Sequence, residues 1–318
     1  MKYIEAPVLS FCIPAYNAPE ELTETLQSIV DAAKDYPIEV VIRDDASPSG
    51  DLWTVVEPFT NQLSINYQRH SKNLRFDANT LSAVAAARGE YCWLFSDNDW
   101  VLPYALDWFF AAIKRYPRAG YMYIDRLNEE DPVPPYDEMK GHGVPSAEEF
   151  ITQNDVPGFI SSQIVKKSLW DSVDKQKYIG NWWIHTATIL EFLPKTETVR
   201  SQLPLIRARK GNAWVRTGNN LTTFLNLKKI MANIGQYGYS DPIVRHFQSQ
   251  FARDLPEVLA YARRCGLKVT WRVIRNLIHE FYRYPLTLTG ALFISCLPIA
   301  VLRKLKGVYS TIHSWRRS

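Results

Sequence analysis

The chain has 318 residues, enough for one large α/β domain with an appendage or for two modest domains. With 46% hydrophobic residues and no excess of Gly or Pro, it is globular and neither disordered nor fibrous. The formal net charge is +4, and it is unevenly placed: from Arg263 onward eleven Lys and Arg stand against a single acid, Glu280. No pair of the four cysteines has Cys-x-x-Cys spacing, which excludes a zinc ribbon, and Cys12 and Cys92 fall in apolar runs as free core thiols. There is no P-loop and no Gly-x-Gly-x-x-Gly, which argues against a P-loop phosphotransferase and a dinucleotide-dependent oxidoreductase.

Val8 to Pro14 is strand-length and apolar. Asn17 stands where it can cap a helix beginning near Pro19, and Leu22, Leu26, Ile29, Val30 and Ala33 share one face of it. A second strand covers Ile38 to Ile42, a short helix Leu52 to Phe59, and a third strand Ile65 to Gln68. An Ala-rich helix is predicted over Asp77 to Arg88, stopping at Gly89, then a strand from Tyr91 to Phe95, a helix from Pro103 to Arg115 and a strand from Gly120 to Ile124. Asp125 to Pro145 has the composition of a loop, and Ser146-x-x-Glu149 fits a capping box. Gly158 to Val165 is strand-like, Tyr178 to Leu193 helix-like, and Pro204 to Thr217 a basic, Gly-containing loop. Asp241 to Arg264 and Val269 to Tyr284 are amphipathic and helical, and Pro285 to Leu302 is an uncharged run of 18 residues flanked by cations. Its length is at the lower edge for a bilayer span, and Gly290 and Pro298 weaken a straight helix, so an interfacial, monotopic or re-entrant anchor is the expectation.

Alternating strands and helices imply an α/β fold with a mostly parallel sheet and helices on both faces. In such sheets ligands bind at the carboxyl ends of the strands. Three polar clusters lie at such ends: Ala15-Tyr16-Asn17, Asp44-Asp45 and Asp97-Asn98-Asp99. In an extended segment Asp97 and Asp99 point the same way, and two carboxylates on one side form an oxygen-rich site for Mg²⁺ or Mn²⁺. Such an ion bridges a diphosphate and offsets the charge on a departing one. Asp44-Asp45 can accept hydrogen bonds from a base or ribose, and an Asx-rich turn capping the next element is the competing structural role for both acidic pairs.

Pro14-Ala15-Tyr16-Asn17 after an apolar strand, Asp44-Asp45-Ala46-Ser47, and Arg88-Gly89-Glu90-Tyr91 leading into Ser96-Asp97-Asn98-Asp99 together resemble the inverting glycosyltransferase family 2, over roughly residues 7 to 125. The resemblance implies a GT-A fold and a nucleotide-diphosphate sugar donor. It implies that Asp97 and Asp99 hold the metal, that Asp45 contacts the base and that Tyr16 lines the donor pocket. Pro14, Ala15, Asn17, Asp44, Arg75, Ser96, Asn98 and Lys210 complete the expected donor site, with the Arg207 to Asn212 segment closing over the diphosphate. Within the family, Ile160-Ser161-Ser162 and Tyr178-Ile179-Gly180 are similar to bacterial O-antigen transferases of the abequosyltransferase type.

An inverting reaction needs a group that takes the proton of the attacking hydroxyl. After Ile179-Gly180 the family usually has a carboxylate; this chain has Asn181, which cannot be a base. His185, one helical turn on, is the candidate catalytic residue, with Asp155, Asp171 and Glu191 behind it. Trp182, Trp183 and Trp214 are candidates for stacking on acceptor sugars. The expected organisation is a nucleotide-sugar-binding half over 1–125, an acceptor-binding half over 126–238 and a basic helical region over 239–318. The expected partners are a lipid-linked saccharide acceptor and an anionic membrane surface, not nucleic acid, at the cytoplasmic face of the inner membrane. Met1 to Pro7 shows no signal peptide. A donor-binding or scaffold protein without turnover is the alternative.

Overall fold

The computed structural model describes residues 6–136, 142–153, 156–210 and 220–304. The chain forms two compact units, 1–210 with 237–239, and 211–236 with 240–318. In the first, β1 (Leu9–Ala15) leads to α1 (Pro19–Ala33), β2 (Ile38–Asp44) to α2 (Trp53–Val56), and β3 (Ile65–Arg69) to α3 (Arg75–Ala85). Next come β4 (Tyr91–Leu94), the short β5 (Trp100–Val101), α4 (Ala105–Arg115), β6 (Ala119–Asn128), β7 (His142–Gly143) and α5 (Ala147–Gln153). The unit is completed by β8 (Gln163–Lys166), α6 (Lys167–Asp171), α7 (Ile184–Phe192) and β9 (Glu197–Ala208). The capping box of α5 forms as expected: Glu149 N–H donates to Ser146 Oγ at 3.2 Å, and Ser146 N–H to Glu149 Oε2 at 2.8 Å.

The strands form one sheet in the order β3-β2-β1-β4-β8-β6-β9-β5, with β7 paired to β9. The first four strands are parallel, joined by helical crossovers. Beyond β4 the sheet is mixed. β8 is antiparallel to both β4 and β6, so β4 and β6 end at the same edge and β8 runs back between them without a crossover. β9 then lies parallel to β6 and antiparallel to β5 and β7. One face of the sheet presents Leu9, Phe11, Ile13, Val40, Ile42 and Trp93 to α1 and α4. Phe11 stacks on Trp93 with ring centroids 5.0 Å apart. α3 covers the other face, where Asn79 Nδ2 donates to the Arg43 carbonyl at 2.9 Å. Helices thus lie on both faces, as the strand–helix alternation implies.

Three readings of the middle region are corrected. The segment from Pro204 to Ala208 is not a loop but the end of β9, and Asp125 to Asn128 continues β6, because each strand finds its hydrogen-bond ladder in the other. Helix α7 begins at Ile184, well after Tyr178, since the Gly180 to Trp183 turn precedes it.

The second unit holds α8 (Asn220–Ala232), α9 (Asp241–Arg264), α10 (Trp271–Phe281), α11 (Pro285–Cys296) and α12 (Ile299–Lys304), around a core that includes Leu221, Leu255, Leu259, Leu277 and Phe281. The uncharged run Pro285 to Leu302 is not one helix. Leu297, preceding Pro298, is extended at φ −68° and ψ 140°, and splits it into α11 and α12. The 12 residues of α11 reach about 18 Å against the roughly 30 Å of a bilayer core. Among the described residues, no helix is long and apolar enough to cross a membrane.

Candidate active site

The three polar strand ends lie side by side. Ala15 pairs with Asp44 across β1 and β2, Asp45 N–H donates to the Ala15 carbonyl at 2.9 Å, and Phe95 N–H to that of Cys12 at 3.0 Å. The loops 15–17, 44–47 and 96–99 therefore share one edge of the sheet. Side chains knit them together: Tyr16 N–H donates to Asp97 Oδ2 at 2.9 Å, Asn17 N–H to Ser47 Oγ at 2.8 Å, and Ser49 N–H to Asn17 Oδ1 at 3.2 Å. Asn17 does not cap α1; Ala18 holds that position without a side-chain bond, and Asn17 instead braces the turn after β2. Pro14 is the penultimate residue of β1 and pairs with Arg43, while the Tyr16 ring is half exposed at the rim.

Asp44 and Asp45 are both buried. Asp44 accepts from the Ser47 N–H and hydroxyl at 2.9 and 2.6 Å and from the Tyr67 hydroxyl at 3.1 Å, with Arg69 at 3.7 Å. Asp45 accepts from the N–H groups of Leu74 and Arg75, at 2.6 and 3.0 Å, and so holds the start of α3. The Arg75 side chain is exposed at this rim.

Asp97 is partly exposed and Asp99 is 3% exposed. Asp99 Oδ2 accepts from the Ser161 hydroxyl at 2.6 Å and Oδ1 from Arg209 N–H at 3.1 Å. Ser161 Oγ also accepts from Ser96 N–H at 2.9 Å, and Ser96 Oγ donates to Asn98 Oδ1 at 2.6 Å. Burial pushes the Asp97 carboxyl up to about 7, against the pull of the Tyr16 N–H and with the charges of Asp99 and Glu21 adding to it. Burial also raises Asp99, opposed by Ser161, by the Arg209 N–H and by the charges of Arg126 and Arg209. Both carboxylates thus sit where their own charge is disfavoured, which a divalent cation would reverse. Among the described residues no group of three or more His, Cys, Asp or Glu converges on a metal position. Mg²⁺ needs only one or two carboxylates when phosphate oxygens and waters complete its shell, and the pair fits an ion of that kind.

Arg209 closes the site from the end of β9. Its Nε donates to the Asn98 carbonyl at 3.3 Å, its guanidinium lies 4.3 Å over the Trp100 ring, and it pairs with Glu24. Lys210 is tied to the neighbouring acidic turn, by N–H to Glu129 at 3.0 Å and by its ammonium to Glu130 at 2.6 Å. Gly211, Asn212 and Trp214 lie outside the described residues, as does Asp155.

The Gly180 to Ile184 turn is organised by Asp77, a residue with no signal in the sequence beyond its place in the first turn of α3. Its buried carboxylate accepts from Gly180, Trp182 and Ile184 N–H at 2.8, 2.9 and 3.3 Å. Burial raises its pKa against the pull of these bonds. Asn181 Oδ1 accepts from Trp183 N–H at 2.7 Å, so it shapes the turn rather than sharing a helical face with His185. His185 is a core residue: it is 3% exposed, meets Phe76 edge-on, and donates from Nε2 to the Gly158 carbonyl at 3.0 Å. That bond leaves Nδ1 as the basic nitrogen, buried and without a partner. Burial lowers the imidazole to about 4. A base that must meet a bound hydroxyl is not provided by this placement. Asp171 and Glu191 are committed to Lys167 and to Lys177 with Tyr178.

Of the five non-glycine residues with left-handed backbone among the described residues, Asn17, Ala46, Arg75 and Trp182 lie in these turns. Such conformations persist where surrounding bonds over-determine them and cluster at functional sites. For Asn17, Arg75 and Trp182 those bonds come from Ser47, Asp45 and Asp77.

A parallel βαβ half with its polar loops at the strand ends, continued into a mixed sheet, is the GT-A architecture. Residues 10–166 match the family described as Glycosyl transferase family 2, and the chain carries a glycosyl transferase family 2 domain. It is 31% identical over 201 residues to abequosyltransferase RfbV of Salmonella typhimurium, a match spanning 56% of this chain and 59% of that protein. It is 35% identical over 65 residues to the hyaluronan synthase of Pasteurella multocida, covering 20% of this chain and 7% of that one. The matches thus span less than two thirds of these relatives. Among solved structures, TarS of S. aureus in complex with UDP superimposes with a TM-score of 0.61 at 15% identity over 90% of both chains. The mannosyltransferase PcManGT from Pyrobaculum calidifontis, in complex with GDP-Man and Mn2+, gives 0.54 at 15% identity over 96% of this chain and 88% of that one.

Proposed function

We propose that the protein transfers a sugar, with inversion, from a nucleotide-diphosphate sugar to a hydroxyl of a lipid-linked glycan in bacterial surface polysaccharide synthesis of the O-antigen type, at the cytoplasmic face of the inner membrane. The observation that carries this reading is the Asp97–Asp99 pair. It stands at the end of β4, bonded to the loop after β1 and set where its charge is disfavoured. The 31% identity to an abequosyltransferase supports the O-antigen context.

Asp97 and Asp99 would hold Mg²⁺ or Mn²⁺, which supplies positive charge to the diphosphate as it leaves. The chain's own residues do the rest. The Tyr16 ring walls the nucleoside, and Asp45 with Asp44 holds the turn that faces the base and ribose. Pro14, Ala15 and Asn17 form the shelf beneath. Ser96, Asn98, Arg75 and Lys210 border the diphosphate. Trp182, 37% exposed and braced by Asp77, offers a stacking surface to an acceptor sugar. His185 holds its turn in place through Gly158 rather than receiving the proton.

The test is release of nucleoside diphosphate from a panel of nucleotide sugars, with and without a lipid-linked saccharide extract. Acceptor-stimulated release from one donor, lost in Asp97→Asn, supports transfer. Donor binding with no release supports the second reading, a donor-binding protein without turnover, which rests on Asn181 standing where a carboxylate was expected.

A further inference from the structure

The first unit's motifs leave α10 and α11 unexplained, although among the described residues of the second unit the most exposed large apolar side chains lie there. Trp271 is 76%, Tyr282 61%, Leu286 89% and Phe293 65% exposed, and Ile278 is 41% exposed. Their spacing is ordered. At about 100° per residue, positions 271 and 278 on α10 and 282 at its C-cap fall within an arc of about 40°, while 286 and 293 share a face of α11. Leu277 and Phe281, about 80–120° round α10 from that stripe, are buried in the core of that unit. Arg275 borders the exposed stripe, Arg272 lies further round, and Arg283 Nε donates to the Tyr282 hydroxyl at 2.9 Å. The one acid of this region, Glu280, is neutralised by Lys228 at 2.9 Å.

We infer that this face of α10 and α11 is a docking surface for an anionic lipid bilayer: Trp271, Ile278, Tyr282, Leu286 and Phe293 enter the headgroup layer, and Arg272, Arg275 and Arg283 meet lipid phosphates. It rests on the membrane-surface reading above and extends its seat from the 285–302 run to the exposed faces of α10 and α11. An apolar stripe with Trp and flanking Arg is the composition of a helix lying in the interface plane. Phosphate-backbone binding would use the arginines and leave the apolar stripe in water. A two-fold contact between copies would bring like arginines together. Lipid satisfies both the stripe and its charged border.

The test is co-sedimentation of the full chain with phosphatidylcholine vesicles with and without phosphatidylglycerol. Wild type is compared with the paired variants Trp271→Glu/Leu286→Glu and Arg272→Glu/Arg275→Glu. All four sites are solvent-exposed, so folding is expected to be retained and is verified by circular dichroism. The expected result is binding that requires phosphatidylglycerol and falls at least about tenfold in each pair, as loss of apolar insertion and of near-surface cations dictates. If wild type binds and both pairs bind equally well, the membrane reading stands and this surface is wrong. If wild type binds neither vesicle, both fall. Binding to duplex DNA that is lost only in the arginine pair would make the face a nucleic-acid surface and overturn the inference.

Discussion

The backbone N–H of Tyr16 donates to Oδ2 of Asp97 at 2.9 Å, across 81 residues of chain. This bond couples the loop expected to wall the nucleoside to the first carboxylate of the expected metal pair. The second carboxylate, Asp99, is held from behind by Ser161 and Arg209. The acidic pair is thus a structural joint between β1, β4 and β9 as well as a candidate ligand set.

Asp99→Ala is therefore expected to do two things. It should abolish metal-dependent nucleotide binding. Because it strands the Ser161 hydroxyl and the Arg209 N–H, it should also cost about 1–3 kcal/mol of stability. Urea unfolding beside nucleotide titration separates the two effects; wild-type stability in the variant would contradict the buried geometry.

His185 gives a pH signature. Its folded-state pKa is depressed to about 4 from 6.5 by burial. The unfolded chain therefore binds more protons between those values, and the imidazole's contribution, fully present above pH 6.5, is lost as pH falls toward 4. The loss approaches roughly 3 kcal/mol. The difference in unfolding free energy between wild type and His185→Gln should shrink by about that amount between pH 7 and pH 4. A constant difference would mean that His185 is not a buried neutral imidazole.

Gly89, expected at a helix stop, has another reason to be glycine. A Cβ there would stand 2.6 Å from Ser10 Oγ, 2.8 Å from Ser10 N and 2.9 Å from the Leu9 carbonyl carbon. The backbone of a central strand cannot yield, so Gly89→Ala should destabilise by about 3 kcal/mol. A wild-type denaturation midpoint would contradict this close approach.

Asp77→Ala should free the Gly180 to Ile184 turn by removing the acceptor of three N–H groups, costing about 1–3 kcal/mol and exposing the turn to proteolysis. Nucleotide binding at the strand ends should be unchanged. Protease resistance equal to wild type would show that other contacts hold the turn.

The first half of the fold was legible because periodicity is local: apolar strands, the Pro19 helix and the Ser146–Glu149 capping box all formed close to where their residues placed them. So were the strand-end clusters, since a parallel sheet brings such ends to one edge. What was not legible depends on distant partners. Pro204 lies in a strand because β6 pairs with β9, and Asn17 braces a turn because Ser49 is beside it. His185 is buried because Gly158, Phe76 and Trp183 enclose it, which its spacing from Asn181 could not reveal. Asp77 and the turn it holds are about a hundred residues apart.

The most direct test of the central claim is calorimetric titration with a panel of nucleoside diphosphates, with and without Mn²⁺, on wild type, Asp97→Asn and Asp99→Asn. One nucleotide binding tightly only with Mn²⁺, and losing that dependence in both variants, is the expected result. Equal binding with and without the ion, or binding untouched by either substitution, would contradict the assignment of Asp97 and Asp99 as the site that joins metal and donor.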